Sequence, residues 1–456
     1  MVEGMPRWLL GRSGSLRATL VTRKQARTWQ TCSDNGGHWP GVDSTGQIPA
    51  AVRRRRGDYD RPMMISTQWV SKALLLLLAS SAAMAAPFVP ASDSQVLERL
   101  PARASDPRAQ EMQALRLAWR QQPADVDRAV RLAERYFDAV AAEGDPRYIG
   151  YAQAALAPWW ALPAPPAPVR LLRAKLLQFD HRFDEALADL DAVLRDDPGN
   201  GAAWSWRAAI HMVRANYSQA RLSCEQLAPR VTPLIGVACL AQVDAATGRA
   251  DTAAAALRQA LADAPDAGAA QRLWALTRLA ETEERRGAHA AAERAFGQAL
   301  ALNVDDVYLL AAYADFLLDR GRPAEVLTLL KGRTRADLLL LRLALAARAA
   351  GAPPHEPWTR TLGERFDAAA LRGDTTHRKE AARYQLALRG QPVPALALAR
   401  DNFAEQREPA DARVLLEAAL AARQPASAAP ALQWMRESGI KSVVLQTLAD
   451  QIKALP

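Results

Sequence analysis

The chain has 456 residues, with 58 Lys and Arg against 49 Asp and Glu and a formal charge of +9. Residues 1–86 hold 12 of the basic and 5 of the acidic side chains, leaving 46 against 44, a net +2, for residues 87–456. A body that close to neutral lacks the electrostatic footprint of a nucleic-acid binder, and a chain rich in Ala, Leu and Arg with few β-branched residues argues against a sheet fold.

Taken in chain order, residues 1–62 show no helical or strand periodicity, carry Arg53-Arg54-Arg55-Arg56, and scatter Trp8, Trp29 and Trp39 among Gly, Ser and Thr. They read as a spurious or disordered leader ahead of a start at Met63 or Met64. Residues 63–86 have the grammar of an export signal: Lys72, an apolar run from Ala73, then Ala83-Met84-Ala85 as a small-x-small cleavage site. Cleavage near Ala85 or Ala86 is expected. The run ending at Ala86 is shorter than the roughly 20 apolar residues that span a bilayer. The mature chain is therefore expected to be periplasmic or secreted, without membrane insertion after cleavage. A cytoplasmic tail in front of an uncleaved anchor is the alternative, with the Arg run as positive-inside evidence.

Residues 87–104 read as a disordered linker and residues 105–166 as an N-terminal helical cap with a divergent repeat. In the latter, Gly150 is placed as a small crossing residue, and "ALPAPPAPV" forms a rigid connection. Residues 167–335 set the pattern. "HRFDEALADLDAVLRDDPGN" is a helix with apolar positions at Phe183, Ala186, Leu187, Leu190 and Val193, stopped by Pro198 and Gly199. Aligning the small or short apolar residue near the start of each such helix gives Ala186, Ala220, Ala253, Ala292, Val326, Ala395 and Ala429, a period near 34. Residues 336–440 continue it in divergent form, stretched around "GAPPHEPW", and residues 441–456 form an amphipathic capping helix.

The motifs now resemble the tetratricopeptide-repeat family from about Asp106 to Met435. Trp204 supplies the large residue of a first helix, and Gly248, Gly287 and Gly321 supply the glycine between helices. Leu190, Leu257, Phe296 and Leu330 supply the bulky residue one turn after the crossing, and Pro198 and Pro265 close second helices. The first-helix glycine of the family is replaced by Ala174, Ala208 and Ala314. The resemblance implies an all-α, right-handed solenoid of about eight stacked antiparallel helix pairs, each burying its apolar face on the next.

No metal, nucleophile or phosphate motif is present, so no cofactor, no metal and no enzymatic activity are expected. His355, Glu356 and His377 are the only material for a hidden catalytic cluster. Asp196-Asp197 and Asp305-Asp306 read as helix caps rather than calcium ligands. Binding is expected on the concave face, which the resemblance lines with first helices: Lys175, Gln178, Phe179, Trp206, Met212, Gln242, Trp274, Arg278, Tyr308 and Tyr384, with Ser205, Glu281, Arg285 and Asp315 beside them. Cys224 and Cys239 either form a disulfide, as export permits, or pack as two small core hydrophobes. The function implied is a scaffold or assembly factor for an envelope protein. Uncleaved anchoring or polysaccharide binding through Trp159, Trp160, Trp204, Trp206 and Trp274 are the alternatives.

Overall fold

The computed structural model describes residues 106–353 and 355–455, so the leader with Cys32, the export signal and the linker lie outside the described residues. Among the described residues twenty α-helices follow one another: α1 Pro107–Gln121, α2 Val126–Glu143, α3 Arg147–Trp160, α4 Ala167–Phe179, α5 Phe183–Asp196, α6 Gly201–Val213, α7 Tyr217–Leu227, α8 Pro233–Ala246, α9 Ala250–Asp263 and α10 Ala269–Arg285. Then come α11 His289–Leu300, α12 Val307–Asp319, α13 Pro323–Leu329, α14 Asp337–Ala349, α15 His355–Leu371, α16 Arg378–Arg383, α17 Pro392–Glu405, α18 Pro409–Ala421, α19 Ala429–Ser438 and α20 Val443–Lys453. A π-helical turn, Tyr384–Leu388, extends α16. Among the described residues there is no strand.

The repeat is written in the backbone as a left-handed residue between the two helices of each pair. Positive φ recurs at Gly144, His181, Ala215, Gly248, Gly287, Gly321, Gly351, Gly390 and Arg423, all between 54° and 83°. At every one of these turns but Gly144 the next amide reaches back to the first helix's last turn, as Arg249 N–H does to Asp244 O at 2.9 Å and Arg322 N–H to Leu317 O at 3.0 Å. These turns mark nine pairs, α2/α3 to α18/α19, one more than expected.

Packing follows the apolar spacing. Ala186, Ala220, Ala253, Ala292, Val326 and Ala395 are wholly buried at the crossings, as are Leu190, Leu257, Phe296 and Leu330 one turn later. Two crossing assignments are corrected. Gly150 is exposed, with nothing near where a Cβ would stand; the position five past the left-handed residue, which is the crossing residue in the pairs just named, is here Ile149, and it is buried. Ala429 is also exposed. The buried residue five positions past the left-handed Arg423 is Ala428, at the end of the 3-10 turn Pro425–Ala428. Asp306 caps α12, its Oδ1 accepting Leu309 N–H at 2.8 Å, while Asp197 accepts Gly199 N–H within a turn.

Cys224 of α7 and Cys239 of α8 are joined, with Cα atoms 5.5 Å apart, in the central core. The bond links the second helix of one pair to the first helix of the next.

Two sets of contacts join parts of the array that are not sequence neighbours. Gly144 sits so close to α14 that a Cβ there would stand 2.6 Å from the Ala336 methyl, and Arg108 pairs with Asp305 at 3.0 Å. Residues 406–443 run along the left-handed turns of consecutive pairs. Gln406 Nε2 donates to the His181 ring at 2.9 Å, Arg407 N–H to Val213 O at 2.8 Å, and Trp434 Nε1–H to the Tyr217 hydroxyl at 3.0 Å. Gly439 lies on Gly248 and Val443 on Gly287.

Candidate ligand-binding cavity

The inner faces of α8, α10, α12 and α14 meet the C-terminal helices α16, α18 and α20 around a cavity of about 210 Å³. Four of the ten concave-face candidates line it: Met212, Gln242, Arg278 and Tyr308. The other six do not.

Lys175, Gln178, Phe179 and Trp206 are buried in the N-terminal part of the core, at 1%, 2%, 6% and 1% exposure. Trp206 meets Phe137 of α2 edge-on at 5.6 Å, and the Lys175 ammonium lies 5.9 Å from the Trp206 ring. Burial holds that ammonium below its usual range, although Glu134 and Asp138 of α2 act against it. Trp274 is buried in the central core. Tyr384 packs on Phe366 at 5.4 Å, its hydroxyl in the space left by Gly363, and so belongs to the small core around α15. These six side chains face inward along helices whose open side is covered by neighbouring elements.

The cavity wall is strongly charged, with seven basic and four acidic side chains. Most of the charges are paired. Arg342 of α14 and Arg383 of α16 both grip Asp315 of α12, through contacts of 2.6 Å and 3.0 Å. Burial alone would raise the Asp315 carboxyl; the two guanidiniums overcome it and hold the group well below the usual carboxylate range. Arg413 of α18 takes both oxygens of Asp319, at 2.6 and 2.7 Å, and Glu417 at 2.7 Å. Arg278 donates to Glu281 at 3.1 Å and stacks 4.9 Å above the Tyr308 ring, whose hydroxyl also donates to Glu281.

Two groups stand apart. The Glu284 carboxyl is pushed up to about 8 by burial and by the neighbouring Asp319, Glu281 and Asp315. Arg285 makes no ion pair; its nearest acceptor is the Thr282 hydroxyl at 3.4 Å, and its Nε–H is sealed from solvent without an acceptor.

Sequence reasoning placed Arg278, Glu281, Arg285, Tyr308 and Asp315 on the inner face, because helical phase from the repeat is enough to do so. It missed Glu284, Arg342, Lys379, Arg383, Arg407 and Arg413. Arg342 stands one repeat period after Tyr308 and was within reach of the same phase; Lys379, Arg383, Arg407 and Arg413 come from the divergent C-terminal segment, where no local pattern announces that they reach the inner face.

No protein-family description and no curated protein matches the sequence. The chain is similar to several solved structures. PilW, a type IV pilus biogenesis factor, is 18% identical over 44% of this chain and 94% of its own, with a TM-score of 0.35. The Cut9–Hcn1 assembly of the APC/C is 14% identical over 72% and 63%, with a TM-score of 0.42. A tetratricopeptide-repeat protein from Parabacteroides merdae is 15% identical over 71% and 99%, with a TM-score of 0.30. At these scores the tetratricopeptide-like organisation rests on the chain's own helix pairs and left-handed turns.

Proposed function

We propose that the chain is a non-catalytic binding protein of the cell envelope, exported through residues 63–86, that scaffolds a protein partner. The observation that carries this reading is the array itself. Nine helix pairs are stacked over the described chain, and most of the charges facing its interior are paired with one another, as Asp315 is with Arg342 and Arg383. Such an array holds side chains at fixed positions on a broad surface, which suits recognition. The Cys224–Cys239 bond supports the export half, since cystines persist outside the reducing cytosol.

The test is made on protein recovered from its own host after fractionation. Intact mass should begin near Ala86 or Pro87 and lack the two thiol hydrogens, and in-cell crosslinking should return one envelope protein that also captures this chain when it carries the tag. A product retaining residues 1–62 in the cytoplasm, or no reciprocal partner, would refute the proposal.

A further inference from the structure

The cavity has a chemistry that the scaffold reading does not use. Its basic side chains are not equivalent: Arg278, Arg342, Arg383 and Arg413 each have a carboxylate on the protein, and Arg285 has none. The Nε–H of Arg278 is sealed without an acceptor as well, so what sets Arg285 apart is that its side chain lines the cavity and pairs with no carboxylate. The nearest acid, Glu281, acts on it only through space: its Oε1 accepts from Arg278 and Tyr308, and no hydrogen bond joins it to Arg285. Arg407 lines the same cavity with its side chain exposed and outside any ion pair; only its backbone is tied down, to Val213.

We infer that this cavity binds a small oxyanion, with the Arg285 guanidinium as principal donor and Arg407 at the rim. The planar fork of an arginine presents parallel N–H groups to two oxygens, a match shared by carboxylates and phosphate esters. A cavity of about 210 Å³ is smaller than the sites that take drug-sized ligands, which limits the ligand to a short carbon skeleton. Met212, Tyr217 and Tyr308 give that skeleton an apolar wall. At neutral pH Glu284 keeps its proton, so it adds no repulsion and can donate a hydrogen bond to the anion. This is a small-molecule site, and it stands whether or not a protein partner binds elsewhere.

The experiment is calorimetric titration of the purified exported chain, alone, with succinate and glutamate in one arm and inorganic phosphate and glycerol 3-phosphate in the other. Saturable binding in the first arm assigns a carboxylate ligand, and in the second a phosphate ligand. Arg285→Gln should weaken that binding roughly tenfold to a hundredfold, the loss of a charge-assisted bond, while the melting temperature holds or rises. Arg407→Gln, at an exposed position, should weaken it less and decides the matter if Arg285→Gln does not fold. No saturable heat with any of the four probes at millimolar concentration overturns the proposal, as does binding that neither substitution alters.

Discussion

Ala215 and Gly248 occupy equivalent turns, yet only the second is the residue type the turn calls for. An L-residue in the left-handed region pays roughly 1–2 kcal/mol, partly returned because glycine is freer in the unfolded chain. Ala215→Gly should therefore raise stability by about 0.5–1 kcal/mol, read from a urea midpoint. Gly248→Ala should lower it by about 2 kcal/mol or more, because the new Cβ would also stand 2.8 Å from the Gly439 carbonyl oxygen. Equal effects at the two sites would mean the turns are not equivalent. Glu284 carries a pH signature of its own. Its carboxyl titrates at about 8 in the folded protein against 4.5 ordinarily, so between those values the native state holds a proton that the unfolded chain has released. Stability falls as pH rises through that window. Glu284→Gln has no such proton, so its stability relative to the parent should grow from about pH 4.5 to about 8 and stay level below it. Denaturation midpoints across pH measure this, and parallel curves for the two proteins would show that Glu284 is ordinary.

At the scale of elements, the array is held by more than nearest-neighbour burial. The cystine ties α7 to α8 across a pair boundary, closing a loop of sequence separation 15. A loop of that length implies about 3 kcal/mol from restriction of the unfolded chain. The paired substitution Cys224→Ala with Cys239→Ala should lose about that much, and reductant should shift the urea midpoint of the parent but not of the variant. A midpoint in the parent that ignores reductant would show the thiols to be free or the bond to be neutral. The alignment on small residues was legible wherever helices start in the same register, from Ala186 to Ala395. It failed at Gly150 and Ala429, each one residue beyond the position five past the left-handed turn, where Ile149 and Ala428 are buried. At three of the nine turns the helix start was legible but the left-handed backbone was not, because the side chains of His181, Ala215 and Arg423 give no sign of it.

At the scale of the described array, contacts between distant pairs should govern unfolding. A plain repeat stack loses its ends first, since each unit touches only its neighbours. Here Gly144 and Arg108 meet α14 and the turn before α12, and residues 406–443 fasten the turns from His181 to Gly287. Far-UV circular dichroism and tryptophan fluorescence, with Trp119 near one end and Trp434 near the other, should give coincident urea transitions. Separated transitions would mean that these closing contacts are weak. Composition, a helical period near 34 and glycines at fixed offsets determined by themselves that the described residues are helical, that they fold in pairs, and, outside α3 and α19, which of the aligned small residues are buried at the crossings. Those are local properties, set by propensity and by spacing along one or two helices. What covers the inner face was decided only by the tertiary structure. Trp206 is sealed by α2, Asp315 is gripped from α14 and α16, and Arg285 is left with a donor and no acceptor, because burial and charge pairing depend on segments that the chain brings together from far apart.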